Sequence, residues 1–489
     1  MATTPVTTPS TTVDPVVWRT VGAVLVGALA VVFDTTVVAV ALPSLAIALD
    51  APVSTIQWVS TGYLLALAVT IPLAGWSQRR LGSKRLWLLA LALFLVGSVL
   101  CSLAWNAASL ITFRVIQGVG GGIMLPLMAT LVMQAAGGRG IGTIMSVVSL
   151  PTVLGPILGP VVGGLILEHL HWSWLFWVNV PFCVAGLVSA WRILPADGAT
   201  ERARLDVIGL LLLAPGLVGV LFGLSNVSGP GGFGRVDVLA PLGVGLVLLA
   251  AFGWWVSGRR RPLIDLRLLR HWPLASSSLL LFLAGLCLYG VMLLLPLYFQ
   301  QVRQLTAMQA GLLLIPQGIG TLASRSIAGK LSDTMGARWL VVGGFAITGL
   351  GTLPFAGAGA GVSTDYRWLM VALLVRGFGL GAVTIPLMAL AFRGLDRADV
   401  PDASIISRIA TQLGGSFGVA VLVAILAGGA GTAGTVAQIA GAFRQSFWWA
   451  VGFAAMGALF ALLLPGTVPP PAAVAPPADA GASTHRGPG

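Results

Sequence analysis

The sequence predicts an all-α integral membrane protein: 14 transmembrane helices in two pseudo-symmetric six-helix bundles, plus two inserted helices. Three observations lead there. Of 489 residues, 57% are hydrophobic and 9% charged, against about 25% charged in a soluble chain. Apolar runs of the ~20 residues needed to cross a bilayer recur along the whole length. The basic residues gather in the loops on one side of those runs, which is how short loops set orientation. The runs lack the two-residue alternation of barrel strands, so helices are the expected spanning form.

Taken in order, residues 1–16 are Thr/Pro-rich, lack the basic start of a signal peptide, and read as a disordered tail. The apolar runs follow at roughly 18–46, 56–76, 86–104, 109–133, 141–167, 174–194, 206–226, 237–257, 274–299, 309–331, 339–359, 367–391, 404–428 and 443–464. The first six make an N-terminal bundle, 17–195. Runs seven and eight with their flanking loops make an insert, 196–272, and the last six a C-terminal bundle, 273–464. Residues 465–489 are Pro/Ala/Gly-rich and read as a second tail. With the N-terminus in the cytoplasm, the inside loops collect Arg79, Arg80, Lys84, Arg85, Arg139, Arg192, Arg202, Arg204, Arg259, Arg260, Arg261, Arg267, Arg270, Lys330, Arg338, Arg393 and Arg397. The outside loops keep only Arg235, Arg303, Arg367 and Arg444, so both termini are expected inside. The net charge of +12 thus marks membrane orientation, and no nucleic-acid partner is expected. Cys101, Cys183 and Cys287 are scattered through apolar runs without metal spacing, and the four histidines make no ligand set, so no metal or cofactor is expected.

Asp34 is the only acid in the first run before its end. A carboxylate at membrane depth costs at least ~2.5–3.5 kcal/mol on insertion scales, so it needs a task or a partner. Three readings stand: a proton-binding group lining a polar cavity, an acid facing headgroups, or a structural partner for a buried arginine. Arg114, in the fourth run, cannot shed its proton and needs an anion, a carbonyl or water. Two internal echoes support the division into halves. Gly75 to Lys84 matches Gly329 to Arg338, and Arg114 with Gly118 and Gly120 matches Arg376 with Gly377 and Gly379. Gly155, Gly159 and Gly163 share one helix face, where glycine permits close backbone approach, and Pro160 bends that helix. Gly118 to Gly122 follows no strand, so it is a weak phosphate-site signal. No HExxH, paired acids or nucleophile–base set is present, and the chain does not read as an enzyme.

These motifs resemble the major facilitator superfamily, and within it the fourteen-helix drug:proton antiporters. The resemblance runs through Asp34-Thr-Thr-Val-Val-Ala-Val-Ala-Leu-Pro43, Gln57-Trp58, Tyr63 to Gly75, Arg114-Val-Ile-Gln117-Gly118, Gly155 to Gly164, Trp172-Ser-Trp174, Asn179-Val-Pro181, Asp206, Pro262-Leu-Ile-Asp265-Leu and Gln412-Leu-Gly-Gly415. It implies a major facilitator fold and proton-coupled export of small lipophilic or cationic compounds, with the proton as the only coupling ion. It implies Asp34 and Arg114 as the proton-coupling pair. Gly155, Gly159, Pro160, Gly163 and Gly164 become the antiporter motif, and Gly75, Arg79, Gly82, Lys84, Asp333 and Arg338 the cytoplasmic gate. The family's usual acid in the first gate copy is replaced by Arg79, so Asp333 is expected to carry the clamp and Arg79 to be only an orienting charge. Ala39 stands where an Asn is common. Residues expected around the substrate cavity are Phe33, Gln57, Trp58, Tyr63, Gln117, Tyr298, Gln300, Gln317 and Gln412, since a few polar groups among aromatics suit such ligands. The expected setting is a bacterial plasma membrane, with the bilayer and a small molecule as partners and a monomer as the working unit. Uptake by symport or facilitated diffusion is the alternative, and a membrane-embedded enzyme the remote one.

Overall fold

The computed structural model describes residues 15–136, 144, 147–148, 150–198, 205–228, 232–259, 262–357, 365–396, 399–430 and 436–464. Of the tails expected at 1–16 and 465–489, residues 1–14 and 465–489 lie outside the described residues, as do the side chains of Gln57, Pro160 and Asp333. The described elements are helices, with no strand among them. In the first half these are α1 (Pro15–Ala48), α2 (Val53–Thr70), α3 (Leu73–Leu81), α4 (Ser83–Ser102), α5 (Ala107–Ala136), α6 (Leu150–His169), α7 (Trp174–Trp177) and α8 (Asn179–Ile193). Two helices follow, α9 (Val207–Ser225) and α10 (Val236–Ser257). The second half holds α11 (Trp272–Gln301), α12 (Ala307–Leu313), α13 (Ile315–Met335), α14 (Ala337–Gly357), α15 (Tyr366–Ala391), α16 (Val400–Ala430) and α17 (Val436–Ala461). Ten described helices are long and apolar enough to cross a membrane, or up to eleven if a bent pair counts as one span. By this measure the expected fourteen are not reached. The helices α6, α13 and α17 stand where the fifth, tenth and fourteenth spans are expected.

Two boundaries differ from the sequence expectation. The first helix starts at Pro15, inside the expected tail. Proline is tolerated there because the first N–H groups of a helix lack intrahelical partners anyway. The second run is two helices, bent by 56° between Thr70 and Leu73. Pro72 at that break has no N–H to continue the ladder.

In each half one glycine-bearing helix is wedged between two neighbours. A Cβ on Gly118 or Gly122 of α5 would lie 2.6 or 2.5 Å from the Tyr63 or Leu67 carbonyl of α2, and one on Gly120 would lie 2.6 Å from the Ala90 carbonyl of α4. These glycines are what lets α2 and α4 close on α5 from both sides. In the second half α15 does the same, Gly379 meeting the Gly344 carbonyl of α14 and Gly381 the Thr321 carbonyl of α13, each at 2.5 Å. The matching contacts correct one sequence pairing. Gly97 of α4 sits against Gln117, and Gly351 of α14 sits against Arg376. Arg376 is therefore the counterpart of Gln117, and the two arginines are one helical turn out of register.

The α6 glycines pack on α1. Gly155 sits against Val32, Gly159 against Thr36 and Gly163 against Val37, whereas a Cβ on Gly164 would meet nothing within 4 Å.

The repeated loop motif holds each half together. Gly82 and Gly336 follow α3 and α13 with φ of +86° and +78°, a conformation glycine reaches without cost. After the first, Asp197 accepts hydrogen bonds from the N–H groups of Lys84 (2.7 Å) and Arg85 (3.0 Å), capping α4. The ammonium of Lys84 donates to the Leu194 carbonyl at 2.6 Å, and Arg338 Nε donates to the Leu464 carbonyl. Each cation thus ties the motif to the chain just past its own half's last helix. Of the residues expected at a cytoplasmic gate, Gly82, Lys84 and Arg338 make these contacts within their own half.

What does cross is Arg79. Its Nη1 lies 3.4 Å from Asp402 Oδ1 in the first turn of α16, and Asp402 Oδ2 accepts from the Asp265 N–H at 3.2 Å. A Cβ on Gly75 would lie 3.2 Å from Asp402 Oδ1 and 3.1 Å from Ile405 Cδ1, so the bare backbone there admits the start of α16. Ser404 Oγ also donates to the Pro126 carbonyl at 3.3 Å. Arg79 is accordingly more than an orienting charge. Where the resemblance led to an acid being expected the chain has Arg79, and the acid Asp402 stands across from it.

Two outcomes follow for the purified protein. Arg79→Asp should lower the melting temperature by an amount corresponding to about 1 kcal/mol, by replacing a partly exposed attraction with a repulsion. Arg79→Asp with Asp402→Arg should recover it; failure of the double variant to recover would mean that the contact carries no energy. Gly159→Leu should cost at least ~1–3 kcal/mol through overpacking against α1, while Gly164→Ala should melt with the parent protein.

Candidate functional site

The helix α1 carries Asp34 into the middle of the first half, where it is fully buried. Arg114 of α5 reaches it from one side, Nη1 to Asp34 Oδ2 at 2.5 Å. The other carboxylate oxygen accepts from Gln117 Nε2 (3.0 Å) and from Asn179 Nδ2 at the start of α8 (2.9 Å). One carboxylate thereby ties three helices. The arginine is satisfied in turn: Nε donates to the Val59 carbonyl at 3.1 Å, Nη1 donates also to Gln117 Oε1 at 2.8 Å, and its guanidinium lies 4.0 Å from the centre of the Tyr63 ring. Ser98 of α4 accepts from Asn179 at 3.1 Å and donates to the Phe176 carbonyl at 2.9 Å, extending the network to the kinked segment α7–α8.

The geometry depends on the glycines of α5. A Cβ on Gly121 would lie 3.0 Å from the Tyr63 hydroxyl, and Gly118 abuts the Tyr63 backbone. Larger residues there would push α2 away and pull the Tyr63 ring from under Arg114. The glycine string is thus a packing device for a charge pair.

Beside the pair, between the halves, lies a cavity of about 440 Å³. The turn that carries Asp34 supplies part of its wall through Val31, Val32, Thr35 and Thr36, and α2 adds Thr61, Leu64, Leu65 and Leu67. The facing wall is Leu288, Tyr289 and Met292 of α11 with Arg408, Gln412, Gly415, Ser416 and Val419 of α16. The inserted α9 contributes Leu221, Leu224 and Ser225.

Of the residues expected around a cavity, Gln412 lines this one. Tyr63 and Gln117 belong to the charge network instead. Tyr298 is buried in a cluster of rings with Phe299, Phe355, Phe443 and Phe447, at centroid distances of 5.4, 5.9, 5.8 and 5.8 Å. It is core of the second half, not cavity wall. Gln300 is exposed near the end of α11. Gln317 accepts from Arg376 Nη1 at 2.7 Å and so serves to satisfy a second buried arginine. Trp58 is exposed and stacks on Phe222 of α9 at 5.6 Å, while Phe33 stacks on Phe182 at 5.9 Å. Sequence reasoning passed over Ser98, Asp402, Arg408 and the α9 wall. Arg408 carried a readable signal, a cation eight residues into an apolar helix.

The half-to-half comparison is unequal where it matters. Arg376 is as buried as Arg114, but it is held by the Gln317 amide oxygen and the Cys287 carbonyl (2.7 Å each), and among the described residues it makes no ion pair. Among the described residues, a carboxylate paired with a fully buried arginine is found in the first half alone.

Comparison with known proteins fits this architecture. The chain is 36% identical over 414 residues to "Multidrug resistance protein B homolog" of Mycobacterium tuberculosis, covering 83% of this chain and 76% of that protein. It is 30% identical over 398 residues to "Lincomycin resistance protein LmrB" of Bacillus subtilis, covering 81% and 83%. Among solved structures, the human organic anion transporter MFSD10 superposes with a TM-score of 0.65 at 18% identity, over 92% of this chain and 100% of that one, a likeness of fold alone. The model of the Major Facilitator Superfamily matches residues 24–419, and this chain, with its two glycine-wedged halves around a central cavity, belongs to that superfamily of transporters.

Proposed function

We propose that this protein exports small lipophilic compounds, drugs and antibiotics among them, in exchange for protons. The carrying observation is the Asp34 carboxylate, sealed in a three-helix network on the very helix whose next turn walls the cavity. Ionised, it holds α1, α5 and α8 together through Arg114, Gln117 and Asn179. Taking up a proton removes its charge, leaves Arg114 with carbonyl and amide acceptors only, and loosens α1 against its neighbours. Because α1 presents Thr35 and Thr36 to the cavity, that loosening is felt by a bound molecule. The glycine face of α6 gives α1 a smooth surface to shift against. Relatives named for multidrug and lincomycin resistance support the direction and the substrate type.

The energy suffices without ATP. One charge moved through 100 mV is worth about 2.3 kcal/mol, and each pH unit adds roughly 1.4. In this reading the two six-helix bundles, 17–195 and 273–464, rock about the cavity, with the 196–272 insert leaning on both. The chain spans a bacterial plasma membrane fourteen times with both termini cytoplasmic, works as a monomer and needs no cofactor besides the proton. The Arg79–Asp402 contact then closes the cytoplasmic side.

Inverted membrane vesicles, acidified inside, provide the test. The wild type should accumulate a fluorescent lipophilic dye against its gradient. Asp34→Asn should lose at least about tenfold of that rate, corresponding to ~1.4 kcal/mol or more in the coupled step. Asp34→Asn/Arg114→Gln, which removes the stranded charge as well, should be equally inactive while melting closer to the wild type. Uphill accumulation by folded Asp34→Asn would remove Asp34 as the coupling group.

A further inference from the structure

The cavity's own charge points to what it binds. Among the described residues, Asp34 is the one acid well inside a helix; the other described acids sit in loops or near helix ends. That single carboxylate is already committed to Arg114, Gln117 and Asn179. Arg408 lies eight residues into α16, about 12 Å along its axis. It lines the cavity, its Nε is buried without a hydrogen-bond partner, and it makes no ion pair among the described residues. No acid is among the cavity's described lining residues. An arginine cannot neutralise itself by losing a proton, so this cation waits for an acceptor from outside the chain.

Its neighbours extend the same chemistry. Gln412 and Ser416 follow Arg408 at four-residue intervals and so stand on one face of α16. They place an amide and a hydroxyl on the turns beyond the guanidinium. Opposite, the hydroxyls of Thr35 and Thr36 already donate to carbonyls of their own helix, at 2.7 and 3.0 Å. Ser225 likewise donates to the Phe222 carbonyl at 2.9 Å. The charged donor, with an amide and a hydroxyl in line behind it, is therefore on the α16 side; Thr61 and the Tyr289 hydroxyl are the other polar groups of a wall made otherwise of leucine, valine, methionine and glycine.

We propose that Arg408 is a specificity-determining residue, and that the cavity selects lipophilic molecules carrying an acidic group such as a carboxylate or phenolate. The guanidinium takes the anion, Gln412 and Ser416 take further acceptor atoms, and the leucine-rich wall takes the apolar body. A ligand ammonium in the same place would face Arg408 with no counter-charge. This departs from the cationic part of the sequence-based expectation. It rests on the export reading above for its physiological sense, but not for its test.

The test is equilibrium binding to the full-length protein in lipid nanodiscs, followed by tryptophan fluorescence. The probes are 1-naphthylacetate, its methyl ester and 1-naphthylethylammonium. Wild type should bind the carboxylate about tenfold more tightly than the ester, as a charge-assisted hydrogen bond would give, and the ammonium most weakly. Arg408→Gln should lose that preference while keeping its affinity for the ester within about twofold, and Arg408→Lys should keep part of it. Equal or tighter binding of the ammonium by wild type overturns the proposal even if the Gln variant does not fold, and so does an undiminished carboxylate preference in folded Arg408→Gln. If the carboxylate preference follows Arg408 but inverted vesicles fail to pump any of the three probes, binding selectivity stands and the export reading fails.

Discussion

The rest of the structure is arranged so that one carboxylate and one guanidinium can stay charged where water cannot reach them. Separately, Asp34 and Arg114 would each pay several kcal/mol for leaving water. Together, at 2.5 Å and with Gln117, Asn179 and the Val59 carbonyl answering further acceptors and donors of the pair, much of that cost is offset. The arrangement requires α1, α2, α5 and α8 to converge within a few ångströms. Only a helix stripped of side chains on two faces can sit at the centre of such a convergence, and this is why α5 carries Gly118, Gly120, Gly121 and Gly122. The charge pair explains the glycines, and the glycines make the pair possible.

The second half reuses the scaffold without the chemistry. Its central helix is wedged by glycines in the same register, and it too buries an arginine. That arginine is shifted one turn and answered by neutral oxygens, so among the described residues it has no partner whose charge a proton could cancel. A two-fold repeat in backbone thus supports a one-sided electrostatic design. The first half buries an ion pair, while the second buries its arginine among neutral oxygens.

Much of this was legible before any coordinates. A lone acid in an apolar run demands a task or a partner, and Asp34 was readable on that ground; its pairing with Arg114 was implied by the family resemblance and not by the run itself. The Gly155, Gly159 and Gly163 spacing announced a helix contact, and the loop repeat announced the two halves. The cavity wall was not legible, because helices that are apolar on nearly every side carry no periodicity from which to read the inward face. Tyr298, Gln300 and Trp58 were plausible by residue type, and each faces somewhere else. The replacement of the family's acid by Arg79 looked like a lost function. Only the spatial approach of Asp402, far along the chain, reveals a contact with its polarity reversed. Boundaries at Pro15 and Pro72 were misplaced because hydropathy does not register a missing N–H.

The two cationic latches have a mechanical consequence. Lys84 and Arg338 each staple the start of one long helix to the backbone just past the last helix of the same half, at Leu194 and Leu464. Both halves are thereby closed into hoops whose ends cannot splay independently. Among the described residues, the polar ties across the seam between the hoops are a partly exposed ionic clasp and a serine-to-carbonyl bond. Stiff levers joined by a weak seam convert a sub-ångström disturbance at the fulcrum into a wide displacement at the rim.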